Sequence, residues 1–369
     1  MGQDLNAVVT VSWSLDAVKA RELVMEYGCN ATAYQILNPG ISHWFNARGD
    51  AVVGYVSRGA WLLAAGEPVC SRRALPEAIT DFEAFAQSRN RRVCYVCAAE
   101  PMRDLLAASS AHSVVTIGAQ PVWNPAEWPQ IVRSRRSLRA QLSRAMNKGV
   151  CVECVAPADA VRGTDNGEIR TTLLEWLQSR RLPPMRFLVE PEVLSGVVED
   201  RLLFLARCRG RIVAFLVASP VTGRNGFLID ELARSPRAPN GTSELLIDAA
   251  MHRFTQAGCT YATMGLVALA KGTTGENPLW LRGLMYMARA HANRFYNFRG
   301  LERFRAKMQP ASCEKLYAIS NEKRFSPQAL YAICGAFSGI SPVRAIGLAV
   351  VKGVREELRT LAASAFKAR

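Results

Sequence analysis

Two adjacent carboxylates, Asp230 and Glu231, end the apolar run Phe227-Leu228-Ile229, and a Pro/Asn/Gly loop follows them directly. A carboxylate pair at one point of a strand can take a proton from a hydroxyl and return it elsewhere. Asn240, Gly241 and Thr242 open the helical pattern that comes next, whose apolar positions Leu245, Leu246, Ala249, Ala250 and Phe254 share one side. Thr242 or Ser243 is placed to cap this helix. Its first-turn amides then face the strand end, an arrangement that receives a phosphate or a developing oxyanion. The same order is also that of an ordinary βαβ turn, so residue type and spacing leave both readings open.

The elements that must position this stretch fit an α/β chain. With 369 residues, 49% of them hydrophobic, there is room for two domains with substantial cores. Lys+Arg of 46 against Asp+Glu of 31 gives +15, which favours a polyanionic partner, either nucleic acid or an anionic membrane surface. Apolar runs such as 345–351 fall far short of the ~18–20 residues that span a bilayer, and no secretion signal opens the chain. A cytoplasmic location is therefore expected. Of the ten cysteines, Cys94-x-x-Cys97 and Cys151-x-x-Cys154 have zinc-site spacing, but both lie in strand-like runs where residues three apart point to opposite faces. Buried free thiols and no metal are expected.

Read in order, residues 1–38 are helical in pattern, and residues 43–70 form a meander turning at Arg48-Gly49-Asp50 and Arg58-Gly59. A helix at 75–88, a strand at 92–97, a helix from Pro101 and a strand at 113–117 complete a first unit, residues 1–132. Residues 133–149 are a basic helix with Leu138, Leu142, Ala145 and Met146 at helical spacing and no carboxylate. Arg133, Arg135, Arg136, Arg139, Arg144 and Lys148 leave its outer side positive, suited to phosphates. This helix connects to a second unit, residues 133–325, with a strand at 150–155, a helix at 168–181, a hairpin around Arg209-Gly210, the 227–266 stretch, a helix at 279–294 and a strand at 315–319. Residues 295–310 interleave Tyr and Phe with Arg299, Arg303, Arg305 and Lys307, and residues 326–369 are an amphipathic tail with Val343, Ile346, Val350 and Val354 on one stripe. A basic helix of that kind can lie on an anionic bilayer, which would make the chain peripheral on the membrane's inner face.

The motifs IDELARSPRAPNGTSELLIDAA, GCTYATMGLVALA and FYNFRGLERFRAKMQP followed by KLYAI together resemble the C-terminal catalytic domain of phosphatidylglycerol lysyltransferases, over about residues 34–319. The resemblance implies tandem acyltransferase folds of the GCN5-related type (GNAT). It also implies transfer of an aminoacyl group from aminoacyl-tRNA to a lipid hydroxyl, with no metal and no cofactor. The family's strand-end Asp falls on Asp230, with Glu231 beside it. Its Arg three residues later falls on Ala233, with Arg234 one place beyond, so an equivalent guanidinium requires a local shift. Its cations before the Pro fall on Arg305 and Lys307. On this reading Asp230, Glu231 and Arg234 carry the chemistry, and Asn240, Gly241, Thr242, Asn297, Arg305 and Lys307 bind substrate. Arg135, Arg136, Arg139, Arg144 and Lys148 then hold the tRNA. The rivals are the same donor with a small soluble amine, hydroxylamine or alcohol acceptor, an acyl-CoA-dependent N-acyltransferase, and a tRNA- or membrane-binding module without catalysis.

Overall fold

The computed structural model describes residues 14–180, 186–189, 194, 196–268, 275–291 and 304–339. Helix α1 (Leu15–Tyr27), capped by Ser14, leads to a tight turn of helix at Tyr34–Leu37 and then to the strands β1 (Ser42–Phe45), β2 (Ala51–Arg58), β3 (Trp61–Ala65) and β4 (Val69–Cys70). Gly49 and Gly59, both at positive φ, make the two predicted hairpin turns where a Cβ would be strained. Then come α2 (Leu75–Ser88), β5 (Arg92–Ala98), α3 (Glu100–Ala107), β6 (Ser113–Trp123), α4 (Trp128–Ser134) and the basic helix α5 (Arg136–Asn147). The second half runs β7 (Val150–Val155), α6 (Pro157–Arg162), α7 (Asp165–Ser179), β8 (Leu202–Cys208), β9 (Arg211–Val221), β10 (Gly226–Arg234), α8 (Thr242–Gln256), β11 (Tyr261–Thr263), β12 (Val267–Ala268), α9 (Leu279–His291), β13 (Ser312–Ser320) and α10 (Pro327–Ser338).

The strands form one mixed sheet in the order β1-β2-β3-β5-β13-β6-β11-β10-β9-β8-β7, with β4 on β2 and β12 on β6. The two halves meet where Ala262 and Thr263 pair antiparallel with Trp123 and Val122. A division at residues 132/133 and 325/326 is crossed by this topology. Strand β13 lies between β5 and β6 of the first half, and Ala329, Ala332 and Ile333 of α10 are buried in the first half's core. Sequence order misleads here because the apolar strand Leu316–Ile319 finds its two edges far upstream. Of the stretch read as helical in pattern, Leu15–Tyr27 and Tyr34–Leu37 are helical, and residues 1–13 lie outside the described residues.

Helix α5 shows why the pattern of leucines and arginines is read this way. Leu138, Leu142 and Ala145 are buried at spacings of four and three, and Arg135, Arg136, Arg139, Arg144 and Lys148 stand exposed. The buried side packs on α8, whose Phe254 is fully enclosed and stacks on Phe227 with ring centroids 4.8 Å apart. Phe254→Ala leaves an aromatic-sized void there, and an expected loss of about 3–5 kcal/mol is read from the urea midpoint. Cys94 and Cys97 are buried thiols, whereas Cys151 and Cys154 are exposed on β7, an outermost strand, contrary to the burial expected of them. No described group of three or more His, Cys, Asp or Glu side chains is arranged to hold a metal ion.

Candidate functional site

The carboxylate pair sits on an irregularity of the sheet and not at a strand end. Strand β10 pairs with β9 up to Ile229↔Ala218 and resumes at Glu231↔Val217, leaving Asp230 as an extra residue. A bulge of this kind turns two consecutive side chains toward one face. Asp230 Oδ2 accepts the Ser219 hydroxyl at 2.9 Å, while Glu231 is in register with Val217, and Ser219 and Val217 share a face because they are two apart. Both carboxylates therefore point to the side covered by α7 and the Tyr34–Leu37 turn. In an unbroken strand, one of them would face α8.

Their surroundings differ. Asp230 Oδ1 accepts Gln35 Nε2 at 2.8 Å, and the buried Arg201 guanidinium lies 3.8 Å from Oδ2. Burial pulls the Arg201 pKa down and Asp230 opposes it. Asp200, next to Arg201 in the chain, is held in turn by Arg21 at 2.5 and 2.7 Å and by the Tyr34 hydroxyl at 3.0 Å. Glu231 is enclosed, and burial pushes its carboxyl up to about 8, with Arg180 drawing it back and Asp230 adding to the rise. A proton is thus held on Glu231 at neutral pH. The folded state keeps that proton up to about 8 where the unfolded chain releases it near its ordinary 4.5. Between those values the native state binds more protons, so stability contributed by neutral Glu231 is complete below 4.5 and is lost as pH rises through 8. Glu231→Gln should flatten that part of the pH dependence, measured as urea midpoints at pH 5 and pH 9.

Arg234 is placed elsewhere. Ala233 is buried on the carboxylate side, so Arg234, the next residue, falls on the opposite face. The guanidinium beside the pair comes from Arg201 on an upstream turn, which no local motif signalled. The loop residues also take specific structural positions. Asn240 is exposed, and Gly241, at φ +96°, precedes α8 with the Gln141 carbonyl of α5 directly against it. Neither Thr242 nor Ser243 caps the helix through its side chain: Thr242 is the first helical residue, and its hydroxyl donates to the Pro239 carbonyl at 2.7 Å. The first turn instead holds the buried Glu244, paired with Lys307 at 2.9 Å. Arg305 donates to the carbonyls of Met264, Gly265 and Leu266 at 2.5, 3.3 and 3.1 Å, fixing the segment after β11. Asn297 lies outside the described residues.

An open space lies farther along the same sheet face, where β6, β11 and β13 adjoin. Two adjoining cavities of about 520 and 180 Å³ share Cys29, Ala99, Pro101 and Arg224 as walls. Arg224 donates two hydrogen bonds to the Glu314 carboxylate, each of 2.7 Å, and its guanidinium lies 3.9 Å from the Tyr261 ring centroid. Burial pushes the Glu314 carboxyl up, but the bonds from Arg224 and Gln120 outweigh it and hold the carboxyl below its usual range. Gln120 Nε2 donates to Glu314 at 2.9 Å and to the Tyr261 hydroxyl at 3.1 Å. Its Oε1 is enclosed and has no hydrogen-bond partner among the described residues. Glu67, on the larger cavity's wall, accepts Asn30 Nδ2 at 2.6 Å and the Ala99 amide at 3.1 Å, and its burial raises its pKa. Tyr261 is in register with Gly226, so cavity and bulge are four residues apart on β10, about 13 Å at the rise of a strand. The segment from Cys29 to Gln35 runs from one to the other.

Gln120, Arg224 and Glu314 were all missed in the sequence. A glutamine inside the apolar strand IGAQPVW was the available signal, since an amide buried in a central strand needs partners.

Residues 21–320 match the family described as phosphatidylglycerol lysyltransferase, C-terminal. An MprF-like domain protein of Mycobacterium tuberculosis is 27% identical over 233 residues, covering 59% of this chain and 47% of that protein. The bifunctional lysylphosphatidylglycerol biosynthesis protein LysX of a Mycobacterium species (strain JLS) is 25% identical over 336 residues, 85% of this chain and 29% of that protein. The chain thus spans less than half the length of these relatives. Among solved structures, a C-terminal domain assigned to a lysylphosphatidylglycerol synthetase of Agrobacterium fabrum superposes with a TM-score of 0.72 at 21% identity, covering 88% of this chain and 97% of that one. The L-PGS of Bacillus licheniformis gives 0.69 at 19%, covering 87% and 96%. These share the fold, a mixed sheet flanked by helices. The chain belongs to the phosphatidylglycerol lysyltransferase C-terminal family.

Proposed function

We propose that this chain transfers an aminoacyl group from aminoacyl-tRNA to a hydroxyl of phosphatidylglycerol. The observation that carries the reading is the polar set of the cavity, in which the unpartnered Gln120 Oε1 lies beside Glu314 and Arg224. An aminoacyl ester presents an ammonium group and a carbonyl oxygen. Gln120 Oε1 and the carboxylates would take the first, and a guanidinium would take the second. The lipid hydroxyl attacks the ester carbon, and its proton ends on the ribose oxygen, which leaves as a hydroxyl; the Asp230–Glu231 pair, about 13 Å along β10 from the cavity, would act by holding Gln35 and with it the Cys29–Gln35 segment that walls the cavity. One ester forms and one breaks, so no cofactor enters the balance. Because the donor is already an activated ester, holding the two substrates together is most of the task. The exposed cations of α5 would engage the tRNA phosphates, predicting binding that weakens steeply with salt.

The test is transfer of a radiolabelled amino acid from charged total tRNA to vesicles containing phosphatidylglycerol, followed by phase partition. Label in the organic phase supports the reading, and testing single amino acids names the donor. Label lost from tRNA but absent from lipid points to a soluble acceptor, and no loss from tRNA rejects the activity.

A further inference from the structure

Helix α9 is apolar on two opposite sides. Leu281 is buried and Met285, one turn on, packs against the first core, which accounts for the inner side. At 100° per residue the outer side carries Leu279, Trp280, Leu284, Tyr286 and Met287, and these are 80, 40, 44, 76 and 57% exposed. An exposed apolar band of this size on one helix marks a surface that meets something apolar. The helix sequence LWLRGLMYMARAH contains no carboxylate, and the exposed Arg282 stands beside the band. Glu276, three residues before the helix, lies 3.6 Å from Lys315. Trp and Tyr beside Leu and Met, edged by Arg282 in a chain of net charge +15, is the composition that enters the headgroup boundary of an anionic bilayer.

The position of the helix fits that occupant. Asn277, just ahead of α9, exchanges two hydrogen bonds of 2.8 Å with the backbone of Thr116 in β6. Lys315, which pairs with Glu276, is a wall of the smaller cavity. Helix α9 therefore starts three residues from a contact with the cavity wall.

We propose that the outer face of α9 inserts into the surface of an anionic phospholipid bilayer and sets the cavity mouth at headgroup level. The insertion does not depend on the transfer reading, whereas the delivery of a headgroup to the cavity rests on it. The full chain is mixed with vesicles of phosphatidylcholine with or without phosphatidylglycerol, some carrying bromine on the acyl chains. Tryptophan emission should be quenched, and the quenched part should be missing from Trp280→Phe although six of the seven tryptophans remain. The triple variant Leu279→Ser, Leu284→Ser, Met287→Ser should lower vesicle partitioning about tenfold or more with an unchanged melting temperature. Arg282→Glu should weaken binding only where phosphatidylglycerol is present. Equal quenching in Trp280→Phe overturns the proposal, because another segment then makes the contact. So does a dimer that the triple variant dissociates while vesicles never bind. No charged tRNA is present, so failure here leaves the transfer reading standing, and binding without transfer does the reverse.

Discussion

Asp230→Asn should lower transfer of label into phosphatidylglycerol by about 10², because Asp230 holds Gln35 and with it the Cys29–Gln35 segment that walls the cavity, and a misplaced wall misaligns the bound ester. The substitution keeps the side chain's shape and removes its charge. Gln35 and Ser219 then donate to a weaker acceptor, and the Arg201 guanidinium loses the carboxylate 3.8 Å away. Since burial already presses the Arg201 pKa down, uncovering that charge also costs stability, of order 3–5 kcal/mol where one partner of a buried pair is removed. Two measurements separate these effects. Binding of charged tRNA, which the proposed function assigns to α5, should be unchanged at a temperature where the variant is folded, and single-turnover transfer should be slow at that same temperature. Full activity in a folded Asp230→Asn protein would remove Asp230 from that role. The companion Glu231→Gln should keep transfer near neutral pH if Glu231 only fills space, and lose the limb near pH 8 if its proton is used.

Glu314→Gln is expected to act on binding more than on chemistry. Its carboxylate receives Arg224 twice and Gln120 once, so its loss frees the guanidinium and weakens the anchor for an ammonium group. A hydrogen bond to a charged group is worth roughly 1.5–3 kcal/mol, which predicts a fall in kcat/KM of about ten- to a hundredfold. The fall should be carried by KM for the charged tRNA. Gln120→Leu tests the same pocket from its neutral side and should raise that KM without altering Asp230. Unchanged KM values in both variants would show that the aminoacyl group is held elsewhere.

Much of the scaffold was legible because its signals are local. The Arg48-Gly49 and Arg58-Gly59 hairpins, α2 at residues 75–88 and the leucine spacing of α5 each follow from turn chemistry or periodicity within one stretch of chain. The site was legible only in part. Asp230 and Glu231 stood out by type, but the bulge that turns both to one face arises from register with β9, and register is settled between strands. Arg201 reaches Asp230 from a turn that carries no motif. Arg305 and Lys307, whose charge suggested a bound anion, have protein partners that no local pattern showed. The structure gives Lys307 to Glu244 and turns Arg305 to three backbone carbonyls, contacts that depend on the path of the chain after β11. Helix starts have the same ambiguity, since Thr242 is a good cap by type yet lies one residue inside α8.

The placement of β13 has a consequence for how the protein is made. Ser320 pairs with Ser113 and Ser312 with Val122, so two edges of the amino-terminal sheet wait for a strand about two hundred residues downstream. At ~5–20 residues per second of synthesis, the facing edges of β5 and β6 stay open on the ribosome for roughly 10–40 s. The amino-terminal half cannot mature as a finished body while the rest emerges, and its exposed backbone is a target for chaperones or for pairing with another nascent chain. Closure comes last, when β13 enters between the two edges, and that single event completes the first half of the sheet and brings Glu314 to Gln120 and Arg224.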